Sequence, residues 1–427
     1  MNIKTSQSAD YLILKQHHQI AFEEGICFFT IIRMNSKVNA IETDVCIVGA
    51  GPSGAAASLM LSKLGVKHLI LDKATFPRDK TCGDGLVLHV FKALKAIDPN
   101  LVNEFVTHPK FISTHHGHFH FSNQGALKIE EGQDDAHNPI FYGKRIDFDA
   151  FLVDKLTSPF VEKRFGVAID KIVYNEDKVT LELKDGTTIH SKLVIGADGI
   201  HSVVSRQLAQ NKPDPKRTST FISAYFENIT DLTPQNGAEI RMVYKKTPLF
   251  FYIFPLPNGQ ANVSIGGTSS ELLKNKINLK NEIEAVINSH PKVASKFKTA
   301  KQVSPWRGWG IPCNYGHLTI SGNRFMLTGD AAGLANSFYK EGVGTGMMSG
   351  IFSAQQAAKC LQENNFSATF MQEYDQNVKA EFGKLLKFSK LVLKFSRYPL
   401  PFKLVLTLAK TKLEKGIKGI IRRRTYT

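Results

Sequence analysis

Acidic residues, paired cysteines and long apolar runs are what this chain has little of. Of its 427 residues, 38 are Asp or Glu against 54 Lys or Arg, and only five are cysteine. Cys27, Cys46, Cys82, Cys313 and Cys360 include no Cys-x-x-Cys pair and no framework spacing. That excludes a cysteine-based zinc site and a disulfide scaffold, and points to a reducing, cytoplasmic setting. No apolar run reaches the roughly 20 residues of a membrane span. The first thirty-three residues lack the basic-then-apolar order and small-residue cleavage site of a secretory signal. They read either as an extension upstream of a start at Met34 or as a genuine N-terminus. The shortage of acid is local. Residues 379–427 hold fourteen Lys or Arg and two Asp or Glu, most of the net charge of +16. A nucleic-acid-binding chain would carry its basic residues on the main domain, so that class is set aside. What remains is an ordinary globular composition, 42% hydrophobic and 22% charged, long enough for two or three domains.

The stretch TDVCIVGAGPSGAAASLMLSKLGVKHLILDK, residues 43–73, carries the first chemistry. Val45–Val48 is a short apolar strand. Gly49, Gly51 and Gly54 follow in Gly-x-Gly-x-x-Gly spacing, then a helix of small residues, Ala55, Ala56 and Ala57. A second apolar strand, His68–Leu71, ends at Asp72, eighteen residues past Gly54. In this order Gly49 makes the turn, Gly51 lets backbone approach a pyrophosphate, and Gly54 allows helix–strand packing. The helix start offers free N–H groups and a positive dipole end, and Asp72 a carboxylate for ribose hydroxyls.

Two more stretches place an Asp beside glycines at the end of an apolar strand. LVIGADGIHSVVSRQL (193–208) contains Gly196-Ala197-Asp198-Gly199 and a helix with Ser202 and Arg206. RFMLTGDAAGLANSFYKEGVGTGMMSG (324–350) contains Gly329-Asp330-Ala331-Ala332-Gly333 and a long helix from about Gly342. Together the three stretches resemble the FAD-containing oxidoreductases built like para-hydroxybenzoate hydroxylase, over residues 42–365. The resemblance implies that Asp330 contacts the ribityl chain or phosphate, that the helix after it aims its N-terminus at the flavin pyrimidine, and that Asp198 braces the pyrophosphate region. RIDFDAFL (145–152) matches a further element of that family, with Arg145 near the cofactor and Asp149 supporting it. The cofactor contacts so implied are Gly49, Gly51, Pro52, Ser53, Gly54, Asp72, Lys73, Cys82, Gly83, Arg145, Asp198, Gly329, Asp330, Gly342, Val343 and Gly344.

Within that family, FPRDKTCGDGL (76–86) resembles the stretch that marks geranylgeranyl reductases, which reduce C=C bonds in prenyl chains. The resemblance implies that Cys82 lies against the flavin ring in a glycine turn and positions substrate or assists a proton. Arg78 and Lys80 would lower its pKa or bind a diphosphate head; the plainer reading of Cys82 is a packed turn residue. FFYIFPLPNGQANVSIG (250–266) resembles a second reductase pattern, with Tyr252 in place of tryptophan and Ser264 in place of glycine. Alternation puts Phe250, Tyr252 and Phe254 on one strand face, and the resemblance implies that this face lines a lipid tunnel. After GDAAGL the reductases show Asn-Pro-x-x-Gly-Glu-Gly; here Ser337 stands for the proline and Lys340 for the first glycine.

Other readings stay beside this one. SPWRGWGIP (304–312) resembles a flavin-halogenase stretch, but Trp306 and Trp309 are three apart rather than two. His116, His118 and His120 alternate on one strand face, either a polar surface or a metal site lacking further partners, and no metal is expected. In the basic tail, 381–424, Phe388, Leu391, Val392 and Phe395 share a helical face beside Lys387, Lys390, Lys394 and Arg397, and Pro399 and Pro401 end that helix. This is the pattern of a helix lying on an anionic membrane, or of a C-terminal cap on the core. The expected fold is α/β: a Rossmann-like FAD-binding domain (42–112, 140–212, 316–365), a mixed-sheet substrate domain (113–139, 213–315) and a basic helical tail (366–427), after an extension over 1–41. The expected activity is FAD-dependent reduction of C=C bonds in a polyprenyl lipid, with Cys82, Tyr252 and Phe254 at the reacting centre. The alternatives are hydroxylation of an aromatic or quinone-like molecule, halogenation, or a non-catalytic membrane-associated flavoprotein. The electron donor is NAD(P)H or a reduced protein carrier; no second dinucleotide fold is evident.

Overall fold

The computed structural model describes residues 40–114, 116–122, 125–130, 140–232 and 237–414. The 1–41 extension lies almost wholly outside them, and so do 131–139 and the last basic cluster at 415–427.

Val45, Cys46 and Ile47 have no exposed surface, the continuous burial of a central parallel strand rather than the alternation of a half-solvated one. Their strand, Ala40–Val48, pairs in parallel with His68–Asp72 and with Thr188–Gly196. His68–Asp72 in turn pairs with Val161–Phe165, and Thr188–Gly196 with Phe325–Leu327. Five parallel strands thus come from three separated parts of the chain. Because they run the same way, their carboxyl ends share one edge. Gly49, Asp72, Asp198 and Asp330 therefore gather in the crevice where such sheets bind ligands. The helices Pro52–Lys63 and Val343–Gln362 lie against each other behind that edge, in contact so close that a Cβ on Gly350 would sit 2.2 Å from the Ser53 carbonyl oxygen.

The second sheet is mixed. Thr218–Glu227, Gln260–Thr268, Pro248–Pro255 and Ala238–Tyr244 run antiparallel in that order. His116–His120 continues it in parallel and Ala126–Glu130 closes it. Arg307–Pro312 pairs with the other side of Thr218–Glu227. A small sheet of Gly85–Leu86, Ile140–Tyr142 and Ile112–Thr114 connects the two. The α/β class with a mixed second sheet and a helical C-terminus is as expected from the sequence.

The tail is where apolar periodicity misleads. Ala368–Phe395 is one 28-residue helix, followed by Pro399–Leu408. Its buried stripe runs Met371, Tyr374, Val378, Phe382, Leu386, Ser389 and, just past its end, Ser396. Those two serines satisfy their hydroxyls on Leu386 and Leu393 carbonyls of the same helix, so small polar residues can face the core. Val392 and Phe395 are half-buried against the second sheet, while Phe388 and Leu391 are 62% and 63% exposed. The four residues read as one face are therefore divided between core and surface. No described helix is long and apolar enough to cross a membrane.

Candidate functional site

The crevice is built first from backbone. Gly49 has φ +99, the left-handed region, and a Cβ there would lie 2.5 Å from the Ala197 carbonyl oxygen. Pro52 is buried at the first turn of its helix, and Ser53 Oγ lies 2.8 Å from Thr328 Oγ1, tying the first glycine turn to the third. The helix start has no side-chain cap, and the Arg78 guanidinium comes within 3.3 Å of a Cβ built on Gly51. Free amides and a cation over a glycine turn suit a pyrophosphate. Asp72 is more engaged than expected. It accepts from Ala50 N at 2.8 Å and Ala74 N at 2.9 Å, so it braces the turn, and any ribose contact uses its remaining lone pairs. Asp198 likewise accepts from Val203 N at 2.6 Å and caps the helix Val203–Gln207, while its other oxygen is buried without a partner. Lys73 is exposed, and Arg206 bonds the His201 carbonyl.

The third stretch behaves differently at its helix. Gly342, Val343 and Gly344 open Val343–Gln362, but Glu341 Oε1 already accepts from Gly344 N at 2.8 Å and Thr345 N at 3.4 Å. The amides expected to face a flavin pyrimidine are held by this acid, which an otherwise uncapped helix start attracts. Asp330, in the Gly329–Ala332 turn, takes Lys80 at 3.3 Å.

Among the described residues Arg145 and Asp149 form the most buried ion pair, at 3% and 0% exposure. The guanidinium donates to both carboxylate oxygens at 2.7 and 2.8 Å, and Arg78 reaches the same carboxylate at 3.1 Å. Burial pulls the Arg145 pKa down, but Asp149 and the Cys82 side chain more than offset it and hold the group charged. Arg78 and Lys80 are thus each paired to a protein acid, Asp149 and Asp330.

The Cys82 turn is pinned from the second sheet. Asn262 Nδ2 donates to the Cys82 carbonyl at 2.7 Å and to Asp84 Oδ2 at 2.8 Å. A Cβ on Gly83 would meet the Phe254 ring at 3.3 Å. Phe254 stacks on Tyr252 at 5.1 Å, and Tyr252 on Phe221 at 5.5 Å. The aromatic face therefore looks towards the glycine edge, with the half-buried Cys82 turn at one end. At the other end Phe338 caps Phe250 edge-on at 5.4 Å.

Asp84 was not singled out by its sequence. It is fully buried, at φ +63, and burial pushes its pKa up to about 7 despite Asn262, Tyr225 and Arg145. The carboxyl keeps its proton in the fold after an unfolded chain has lost it, near pH 4. Stability therefore falls as pH rises from about 4 to about 7 and is level above. Between pH 5 and pH 8 this group costs about 3 kcal/mol. Asp84→Asn should flatten that slope, read as the urea midpoint at the two pH values; an equal slope in the variant would assign it elsewhere.

The remaining candidates separate. His118 and His120 lie 5.9 Å apart, and burial with nearby Arg241 pushes His120 down to about 4. The His116 side chain lies outside the described residues. Among described residues no three metal-ligating side chains cluster. Trp306 packs on Phe226, while Trp309 faces Lys80 and His201, so the two indoles form no shared wall.

Comparison with known proteins agrees with this geometry. The FAD binding domain family matches residues 42–380. A menaquinone reductase of Mycobacterium tuberculosis is 26% identical over 73% of this chain and 76% of its own. Digeranylgeranylglycerophospholipid reductase 2 of Methanopyrus kandleri is 26% identical over 82% of this chain and 85% of its own. The solved geranylgeranyl bacteriochlorophyll reductase-like protein of Thermoplasma acidophilum superposes with a TM-score of 0.69 at 21% identity, covering 91% of this chain and 92% of that one. With its three glycine–aspartate turns on one sheet edge, this chain belongs to the FAD binding domain family and is an FAD-dependent oxidoreductase.

Proposed function

We propose that the chain reduces carbon–carbon double bonds in a polyprenyl-type lipid. The observation that supports this most is the stacked face of Phe221, Tyr252 and Phe254 against the Cys82–Asp84 turn. In this reading 42–112, 140–212 and 316–365 carry the flavin, and 113–139 and 213–315 the lipid. Bound, reduced FAD supplies the hydride. The chain's part is to lay an apolar tail along the aromatic face, exclude water and hold a proton nearby. Cys82, beside the charged Arg145, stands where a double bond on that face would be positioned or protonated. Asp84 keeps a proton to about neutral pH behind it. The electrons come from NAD(P)H or a reduced protein carrier.

The test is mass spectrometry of products. The FAD-loaded protein is reduced with dithionite without air and given geranylgeranyl diphosphate and a prenylated lipid extract; a second sample receives air and NADPH. Products heavier by pairs of hydrogens, formed without air, are expected. Products heavier by one oxygen, formed only in air, would make this a monooxygenase. Cys82→Ala should lower turnover about tenfold or more with FAD retained; unchanged turnover and products would reduce Cys82 to a turn residue.

We also propose that the protein works from the surface of an anionic membrane. Leu400, Leu404 and Leu408 are 79%, 59% and 79% exposed beside Lys394, Arg397 and Lys403. A cavity of about 390 Å³ opens beside Leu400 and Lys403, against Met242 of the second sheet. Phosphatidylglycerol vesicles should sediment the protein and phosphatidylcholine vesicles should not. Changing all three leucines to Glu should abolish the difference, and a wild type that ignores both vesicles refutes the proposal.

A further inference from the structure

The long helix Val343–Gln362 starts without a cap of its own. Gly342 precedes it, and its first turn holds no acid. The start of such a helix carries roughly half a unit of positive charge. Glu341, half-buried just outside, supplies the missing acceptor. Its Oε1 takes Gly344 N at 2.8 Å and Thr345 N at 3.4 Å. The loop before it fixes that placement. Asn336, 2% exposed, donates its N–H to the Glu341 carbonyl at 2.7 Å, and its Oδ1 accepts from Phe338 N and Tyr339 N, each at 2.9 Å.

The nearby cations are engaged elsewhere. Lys340, next in the chain, turns away and donates from Nζ to Ser219 Oγ at 2.9 Å and to the Ser337 carbonyl. Lys80 is held by Asp330 at 3.3 Å. Asp330 itself adjoins the helix start, since a Cβ on Gly342 would lie 3.4 Å from its Oδ1. Among the described residues, then, two carboxylates, Glu341 and Asp330, stand at this helix start against one cation, Lys80. The surplus is a full negative charge, which outweighs the roughly half-unit positive end of the helix.

We propose that Glu341 sets the reduction potential of the bound flavin, holding it low by cancelling the positive helix end that the resemblance aims at the flavin pyrimidine. Bound FAD accepts two electrons and a proton, which leaves one extra negative charge on the ring system unless a second proton follows. A bare helix end would stabilise that charge and ease reduction. With the carboxylate in place the local sign is reversed, so the reduced ring holds its electrons less tightly and gives up hydride more readily. That suits an isolated double bond, which no neighbouring carbonyl activates. The effect is on the flavin itself and is the same whichever substrate follows.

The experiment measures a potential, without substrate or turnover. The FAD-loaded protein is titrated with dithionite in the absence of air beside a dye of known potential, and reduced and oxidised flavin are read by absorbance. Glu341→Gln keeps an oxygen for the Gly344 amide and removes the charge; Glu341→Asp keeps the charge on a shorter arm. Glu363→Gln is the control, because it removes the same charge at the far end of the same helix, about 30 Å away. At a fixed solution potential the ratio of reduced to oxidised flavin should be about tenfold higher in Glu341→Gln than in the wild type, a shift of about 30 mV for two electrons. Glu341→Asp should stay within about threefold of the wild type and Glu363→Gln within about twofold. The ratio is taken per bound flavin, so a variant that loads poorly is still read. A Glu341→Gln ratio within about twofold of the wild type would overturn the assignment. So would Glu341→Asp moving with Glu341→Gln, which would mark a lost cap rather than a lost charge, or Glu363→Gln moving equally, which would mark the net charge of the protein.

Discussion

Asp149→Ala should lose about 3–5 kcal/mol of folding stability, the largest single-residue effect expected outside the hydrophobic core. Asp149 has no exposed surface and takes both prongs of the Arg145 guanidinium, which is itself 3% exposed. Removing the carboxylate leaves a buried charge without its two-pronged partner, beside the Cys82 side chain and the largely protonated Asp84. Arg78 is less affected, because it is partly exposed and keeps Asp72 at 4.0 Å. The measurement is the denaturant midpoint with the slope held constant. The double variant Arg145→Met, Asp149→Leu should recover most of the loss, since no charge is then stranded. A loss in Asp149→Ala below about 1 kcal/mol would show that water reaches the guanidinium and that the pair is worth no more than a surface one.

Gly54→Ala should weaken FAD binding about a hundredfold or more, roughly 2.7 kcal/mol. A Cβ at that position would lie 1.8 Å from the Gly49 carbonyl oxygen and 3.2 Å from the Ala197 side chain. Both neighbours are short and neither can rotate away, so the first glycine turn has to move. That turn also carries Ala50 N on Asp72 and adjoins the Asp198 turn, so displacement spreads to both edges of the phosphate cradle. Gly308→Ala is the control. Its Cβ would meet nothing closer than Ile222 at 3.7 Å, and it should retain FAD. The comparison reads FAD per protein after gel filtration and the Kd on reconstitution. Equal retention by the two variants would mean that the cradle is looser than its geometry.

The sequence by itself determined the flavin half of this protein. A strand, a glycine turn and a helix of alanines specify one another locally, and they recur with an Asp at 198 and 330. The alternation of Phe250, Tyr252 and Phe254 also holds, because a period of two in a strand fixes a shared face whatever lies opposite. What lies opposite was decided only by tertiary structure. Asp84, Asn262 and Tyr225 meet from separate parts of the chain, and nothing in GDG marks the acid as buried. Arg145, on a short helix, is held as a buried charge only because Asp149 and the Cys82 side chain close over it. The tail shows the same limit in reverse. Its phenylalanines and leucines announce an apolar face, but the core takes Ser389 and Ser396, and Phe388 and Leu391 stay exposed. Periodicity reports which residues travel together. Desolvation, which pushes Asp84 up and is offset at Arg145 by Asp149 and Cys82, depends on atoms brought together from separate parts of the chain.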